Sequence, residues 1–249
     1  MSELFRLEET SLYFGSEAVL KDADLTIKKG RTTCIIGPSG AGKSTLLRSL
    51  NRMNDLITGF HHKGRIFYNN RDIYGKGQSV EELRRGVGMV FQKPCLFPGS
   101  IFDNVVFGAR HIREKKKEGL EVIAEESLQA VGLWSEVRHR LHSSALALSE
   151  GQAQRLAIAR ALAVGPDALL LDEPTSALDH RAAGKIEELI RELGEKMTIV
   201  MVTHRLEQAR ALAHYVVFVC EGRICEAGEA ESIFNHAEKI ETRCYIEAP

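Results

Sequence analysis

The chain has 249 residues, with 33 basic against 34 acidic side chains and a formal net charge of -1, so no bulk field draws it onto nucleic acid or an acidic lipid surface. With 44% hydrophobic residues it is long enough to bury a sizeable core, as one large domain or two closely joined lobes. No apolar run approaches the roughly eighteen residues a membrane span needs, and Met1-Ser2-Glu3-Leu4-Phe5-Arg6 lacks a signal peptide's apolar core, so the expectation is a cytoplasmic chain.

In chain order, residues 4–7, 11–14 and 23–27 read as strands of a small antiparallel unit, and Lys28-Lys29-Gly30 turns into a buried strand at 32–36. A glycine-rich stretch, Gly37-Pro38-Ser39-Gly40-Ala41-Gly42-Lys43-Ser44-Thr45, follows, and then a helix over 46–53. Short strands are predicted at 65–68 and 87–91. From 94 to 149 the character is helical. Within it 110–131 is strongly charged, with Ile112, Leu120, Ile123, Ala124 and Leu128 as apolar positions. The mixed signs of Arg113-Glu114-Lys115-Lys116-Lys117-Glu118 read as a solvated face. A buried helix (152–164), a strand (168–172), a helix (182–193), a strand (198–203), a helix (206–213) and a strand (216–219) complete the alternation. The fold class this predicts is α/β, a mostly parallel sheet covered on both faces, with no internal repeat. The five cysteines, at 34, 95, 220, 225 and 244, form no C-x-x-C pair and read as reduced packing thiols. His61-His62 and His139-x-x-His142 lack flanking ligands at metal spacing and read as surface histidines.

Strand, glycine-rich loop, Lys-Ser and helix together make a nucleoside triphosphate site. The glycines let backbone N–H groups curl around phosphate oxygens, and the helix N-terminus adds its dipole. Lys43 is expected to reach the β- and γ-phosphates, and the Ser44 hydroxyl to ligate Mg²⁺. A second element supports this. Ala168-Leu169-Leu170-Leu171-Asp172-Glu173 is an apolar strand ending in two acids. Asp172 is placed to hold Mg²⁺ opposite the loop and Glu173 to polarise an attacking water.

Further motifs carry a family resemblance. Leu148-Ser149-Glu150-Gly151-Gln152, ahead of a helix, resembles the signature of ABC-transporter ATPases, whose usual form is Leu-Ser-Gly-Gly-Gln. Gln92 lies where that family has its Q-loop, Ser176-Ala177-Leu178-Asp179 looks like the D-loop, and His204 matches the switch histidine. Phe14, or its neighbour Tyr13, aligns with the aromatic that stacks on adenine. The resemblance implies a P-loop NTPase core of the ABC type (residues 1–93 and 150–249), with a mostly parallel sheet, a small antiparallel β unit and an inserted helical subdomain at 94–149. It implies ATP and Mg²⁺ as ligands, and catalysis by Glu173, His204, Gln92 and Lys43. The metal would be held by Ser44, Gln92 and Asp172. Nucleotide would be bound by Phe14, Gly37, Pro38, Ser39, Gly40, Ala41, Gly42, Lys43, Ser44 and Thr45, with Ser149, Gly151, Gln152 and Asp179. It further implies a head-to-tail homodimer on ATP binding, with Ser149 and the N–H groups near Gly151 acting in trans. The partners implied are membrane permease subunits at the cytoplasmic face of the inner membrane, and no nucleic acid.

Within the family the likeness is to the ATP-binding subunits of bacterial phosphate importers. It rests on Leu50-Asn51-Arg52-Met53-Asn54-Asp55-Leu56, Asp72-Ile73-Tyr74, Gly88-Met89-Val90-Phe91-Gln92-Lys93-Pro94 and Ser100-Ile101-Phe102-Asp103-Asn104-Val105. Leu133-Trp134-Ser135-Glu136-Val137-Arg138 and Lys185-Ile186-Glu187-Glu188-Leu189-Ile190 look like it as well. Three features depart: Glu150 for the signature's Gly, His180 for a Pro after the D-loop Asp, and the ending Tyr245-Ile246-Glu247-Ala248-Pro249. The alternatives are an ABC importer for another solute, or a soluble ABC ATPase or regulatory binding module with slow turnover. A chromosome-structuring ATPase needs a long heptad coiled coil between loop and signature, which 94–149 does not supply.

Overall fold

The structure is a computed structural model describing residues 2–112 and 117–248. The mixed-charge run at 113–118 lies outside the residues whose side chains are described, as does Pro249 of the tail. The chain opens with two long strands, β1 (Glu3–Phe14) and β2 (Glu17–Lys28), where the sequence suggested short pieces. The interruption is a bulge shared across the sheet. Glu9 and Asp22 adopt φ of 45° and 48°, and Gly64 on the far side of β1 adopts φ 77°. A Cβ on Gly64 would fall onto the Glu8 and Glu9 carbonyl oxygens, so this close approach requires glycine. Side chains repair the broken ladder: Ser11 Oγ accepts from the Asp22 N–H at 2.9 Å, and Thr10 Oγ1 donates to the Arg65 carbonyl at 2.9 Å.

The five residues of β3 (Thr32–Ile36) are all buried. Helix α1 (Lys43–Ser49) starts three residues before the predicted helix because Gly42, at φ 100°, is its N-cap, and it ends earlier, giving way to a 3-10 turn at Met53–Leu56. Next come β4 (Phe60–Tyr68), the short β5 (Arg71–Asp72), α2 (Val80–Gly86, capped by Ser79) and β6 (Val87–Val90). The stretch from 94 to 149 is mainly helical, as expected, over its described residues. It contains α3 (Ile101–Ile112), α4 (Lys117–Ala130) and the short α5 (Trp134–Val137). Backbone bonds from Ile101 to Ser143 (3.0 Å) and from Ala145 to Gly99 (2.9 Å) tie the two ends of this stretch together. Then α6 (Glu150–Leu162), β7 (Ala168–Asp172), α7 (His180–Gly194), β8 (Thr198–Val202), α8 (Leu206–Leu212) and β9 (Tyr215–Cys220) follow the predicted alternation. Beyond the last predicted strand the chain continues with β10 (Arg223–Glu229), α9 (Ala230–His236) and α10 (Ile240–Glu247).

Two sheets result. A four-stranded antiparallel sheet runs β2-β1-β4-β5, and a six-stranded sheet runs β10-β9-β3-β8-β7-β6. Every pairing in the larger sheet is parallel except that of β10 with β9 at its edge. Alternation along each central strand divides the core in two. Cys34, Leu169, Leu171, Ile199 and Met201 face the helical layer of α3, α4, α6 and α7. Ile35, Leu170, Val200 and Val202 face α1 and the antiparallel sheet. Both faces being covered, the strands are continuous apolar runs. Their C-terminal ends come out together, and the loop after β3 and the acids after β7 meet there.

Candidate functional site

The loop after β3 has a backbone that only glycine permits at two points. Gly37, at φ 143°, lies so close to β9 that a Cβ would fall onto the Val219 carbonyl oxygen. Gly42, at φ 100°, would set a Cβ 2.8 Å from the Val19 carbonyl oxygen. With Gly42 as N-cap, no side chain caps the first N–H groups of α1. They open onto a cleft of about 250 Å³ lined by Ser39, Gly40, Gly42 and Lys43 to Thr45, with Val19 and Glu173 at its sides.

Lys43 is buried, and its Nζ donates to the carbonyls of Gly37 (2.8 Å) and Pro38 (2.7 Å). Burial pushes the ammonium below the ordinary lysine range, partly opposed by the charges of Glu173 and Asp172. One residue on, Ser44 Oγ donates to Asp172 Oδ1 at 2.7 Å, and Arg48 Nη2 donates to Asp172 Oδ2 at 2.8 Å. Asp172 closes β7 and is 2% exposed. A hydroxyl and a carboxylate oxygen in contact form a hard donor pair. That set suits Mg²⁺, which takes one or two protein ligands and leaves its other positions to water and phosphate. Among the described residues no cluster of three or more His, Cys, Asp or Glu offers a fuller cage.

Glu173 follows at φ 47°, its N–H bonded to the Val202 carbonyl (3.0 Å) and its Oε2 3.1 Å from Nδ1 of His204. The acid after β7 and the histidine after β8 are therefore a contacting pair, with Glu173 on the cleft wall. Behind them, Gln208 Nε2 donates to Thr175 Oγ1 (2.9 Å) and to Glu187 Oε1 (3.0 Å), bracing the segment after Glu173.

The other expected site residues lie apart. Gln92, two residues past β6, is exposed and shares no hydrogen bond with Ser44 or Asp172. Asp179 caps α7 through the Ala182 N–H at 2.9 Å. Ser149 and Gln152 form a reciprocal capping box at the start of α6, which is why that helix begins at Glu150 and not at Gln152. None of Ser149, Gly151 and Gln152 lines the cleft. Tyr13 is stacked on His61 at 4.8 Å, whereas the Phe14 ring meets Phe60 obliquely at 5.6 Å. His62 stacks on Tyr74. Of the cysteines, Cys34 packs in the core, where burial pushes its thiol up to about 12, but Cys95 and Cys244 are exposed. The reading of the thiols as packing groups therefore does not extend to those two.

Glu150 occupies the first turn of α6, where a carboxylate suits the helix dipole. Arg155, five residues further along the same helix, is not available to pair with it. Its guanidinium pairs with Glu136 Oε1 at 2.8 Å and donates to the Gly132 carbonyl at 2.9 Å. The exposed Glu150 has no salt bridge among the described residues. If a second copy brings this end of α6 to the phosphates, a unit charge ~5 Å away repels by about 3 kcal/mol at an effective dielectric near 20. Glu150→Gly is then expected to raise ATPase activity several-fold, with a smaller gain at high salt. Equal rates in both proteins across salt concentrations would mean that the carboxylate points away from the nucleotide.

Two groups at the site had no place in the sequence reading. Arg48 was detectable, since it stands four residues after Ser44 and so on the same face of α1. Tyr245, whose hydroxyl donates to the Gly37 carbonyl at 3.0 Å across 208 positions of sequence, left no local signal.

The fold and the loop at the C-terminal ends of its parallel strands define a P-loop nucleotide-binding domain. Residues 20–176 match the ABC transporter family. The chain belongs to that family. It is 48% identical over 246 residues to the phosphate import ATP-binding protein PstB of Thermotoga maritima, covering 99% of this chain and 98% of that one. It is 48% identical over 240 residues to the phosphate import ATP-binding protein PstB 1 of Vibrio cholerae, covering 96% and 88%. Among solved structures it resembles cbiO1 of Clostridium perfringens, part of the ABC transporter complex cbiONQ, with a TM-score of 0.81 at 30% identity over 100% and 97% of the two chains. It also resembles the ATP-binding cassette MJ0796, in a dimeric post-hydrolysis state bound to ADP and Pi, with a TM-score of 0.78 at 30% identity over 91% and 99%. Among the described residues no helix is long and apolar enough to cross a membrane.

Proposed function

We propose that this chain is the ATP-binding and ATP-hydrolysing subunit of an ABC importer of inorganic phosphate, working as a homodimer against membrane permease subunits at the cytoplasmic face of the membrane. The observation that carries the hydrolytic part is that Lys43, Ser44 and Glu173 line one cleft, with Asp172 bonded to Ser44 and His204 in contact with Glu173. The cargo rests on the two relatives at 48% identity, both phosphate import ATP-binding proteins.

In this reading the core is residues 1–93 and 150–249, with 94–149 as a helical subdomain facing the permease. The loop N–H groups from Gly37 to Thr45 cradle the β- and γ-phosphates, and Lys43 leaves its two carbonyls to neutralise them. Ser44 and Asp172 would hold Mg²⁺, with Gln92 as a candidate third ligand on closure, and the ion would supply charge neutralisation at the phosphates. Glu173 takes a proton from the attacking water, and His204 Nδ1 holds the carboxylate in place. Phe14 is the aromatic for adenine, since Tyr13 is already engaged with His61. Ser149, Gly151, Gln152 and Asp179 act from the second copy. Their absence from the cleft of their own chain supports this, as does the dimeric state of the ADP- and Pi-bound relative.

The cargo is tested by uptake of labelled phosphate. The host is a bacterium lacking its own phosphate-importing ATPase, supplied with this chain and its neighbouring permease genes. Wild type restores uptake and Glu173→Gln does not. Phosphate uptake at the level of the empty vector, with ATP still hydrolysed by the purified chain, would remove phosphate as the cargo and leave the ATPase in place.

A further inference from the structure

The Gly37 carbonyl receives two donors, Lys43 Nζ at 2.8 Å and the Tyr245 hydroxyl at 3.0 Å. Gly37 is buried and held against Val219, so its carbonyl cannot turn to water for a substitute partner. The Pro38 carbonyl, which also accepts from Lys43, keeps the Ala41 N–H at 3.3 Å as a second donor. Tyr245 is held from two sides. Its ring packs on Phe218 of β9 at 5.1 Å between centroids. Its helix, α10, is pinned at the start by Glu226 of β10, whose carboxylate accepts from the N–H groups of Glu238 (2.8 Å) and Lys239 (3.2 Å). Burial raises the phenol above its ordinary pKa, so the hydroxyl remains a donor at neutral pH.

We propose that Tyr245 is a positioning residue of the nucleotide site: its hydroxyl keeps the Gly37 carbonyl paired once Lys43 has turned from that carbonyl to the phosphates. The proposal rests on the loop at 37–45 being the phosphate cradle. Without nucleotide, Lys43 satisfies the carbonyl and the tyrosine is redundant. With nucleotide, the tyrosine is the remaining protein donor, and its loss leaves a buried acceptor unpaired. The last helix of the chain is thereby coupled to nucleotide binding, although it contributes no group to the phosphates.

The linkage has a sign that a purely structural contact lacks. Tyr245→Phe keeps the ring on Phe218 and removes only the donor. Calorimetric titration of the full chain with Mg²⁺–ADP is expected to show about fivefold weaker binding for this variant, the size of one neutral hydrogen bond. The Tm of the nucleotide-free variant should stay within about 2 °C of wild type. In a Lys43→Met background, where the carbonyl has no other donor, the same substitution should lower the nucleotide-free Tm by more than it does in wild type. Equal ADP affinity for wild type and Tyr245→Phe would overturn the proposal, and so would a Tm loss of the same size in both backgrounds. A wild-type chain that fails to bind ADP would overturn the nucleotide reading as well, which keeps the two failures distinct.

Discussion

Glu173→Gln is expected to lower steady-state ATP turnover by about a hundredfold or more, the range for removal of a general base. The substitution is close to isosteric at a position the fold holds from three directions. Glu173 directly follows the last residue of β7, its N–H is tied to the Val202 carbonyl, and its side chain rests on His204 at 3.1 Å. A glutamine amide keeps that contact with the imidazole. It also leaves the Ser44–Asp172 pair intact, so binding should survive while the carboxylate proposed to accept the water's proton is gone. The backbone at φ 47° is as tolerable for Gln as for Glu, and the thermal midpoint should not move by more than a few degrees. Because hydrolysis opens the dimer in this account, ATP should then hold two copies together, and size-exclusion chromatography should show a dimer with ATP and a monomer with ADP. Wild-type turnover in the variant would place the base elsewhere.

The loop of the candidate site was legible because it is local. Nine consecutive residues from Gly37 to Thr45 contain the glycines, the lysine and the hydroxyl, and the flanking strand and helix follow from apolar spacing alone. The strand before Asp172 was read to the residue, since a strand covered on both faces is an unbroken apolar run with sharp ends. Features made by pairing between distant segments were not legible. The bulge through Glu9, Asp22 and Gly64 breaks the polar pattern of each strand separately, so β1 and β4 looked shorter than they are. The edge strand β10 is only half-buried along most of its length, and α9 and α10 are short, so the segment that carries Tyr245 gave no periodic signal. Arg155 illustrates a different limit. It is a base close in sequence to Glu150, but the fold commits the guanidinium to Glu136 and the Gly132 carbonyl. Gln92 likewise has the family position without contact to the Ser44–Asp172 pair in a single chain.

Lys43→Ala carries the other large effect, loss of nucleotide binding. The ammonium is buried beside the cleft, already desolvated, and at present bonded only to two backbone carbonyls. It therefore exchanges weak neutral acceptors for phosphate oxygens on binding, and most of the cost of burying the charge has been met in folding. Removing one partner of such a buried, hydrogen-bonded charge pair costs on the order of 3 kcal/mol or more, which is a hundredfold or greater loss in affinity. The fold should tolerate the change, because the Gly37 carbonyl retains Tyr245 and the Pro38 carbonyl retains the Ala41 N–H at 3.3 Å. Titration of a fluorescent ATP analogue with Mg²⁺ at physiological salt, on wild type and on a Lys43→Ala variant of matched thermal midpoint, tests the claim on which the rest depends. Saturable binding by wild type with none detectable for the variant is the predicted result; equal affinity in the two proteins would contradict it.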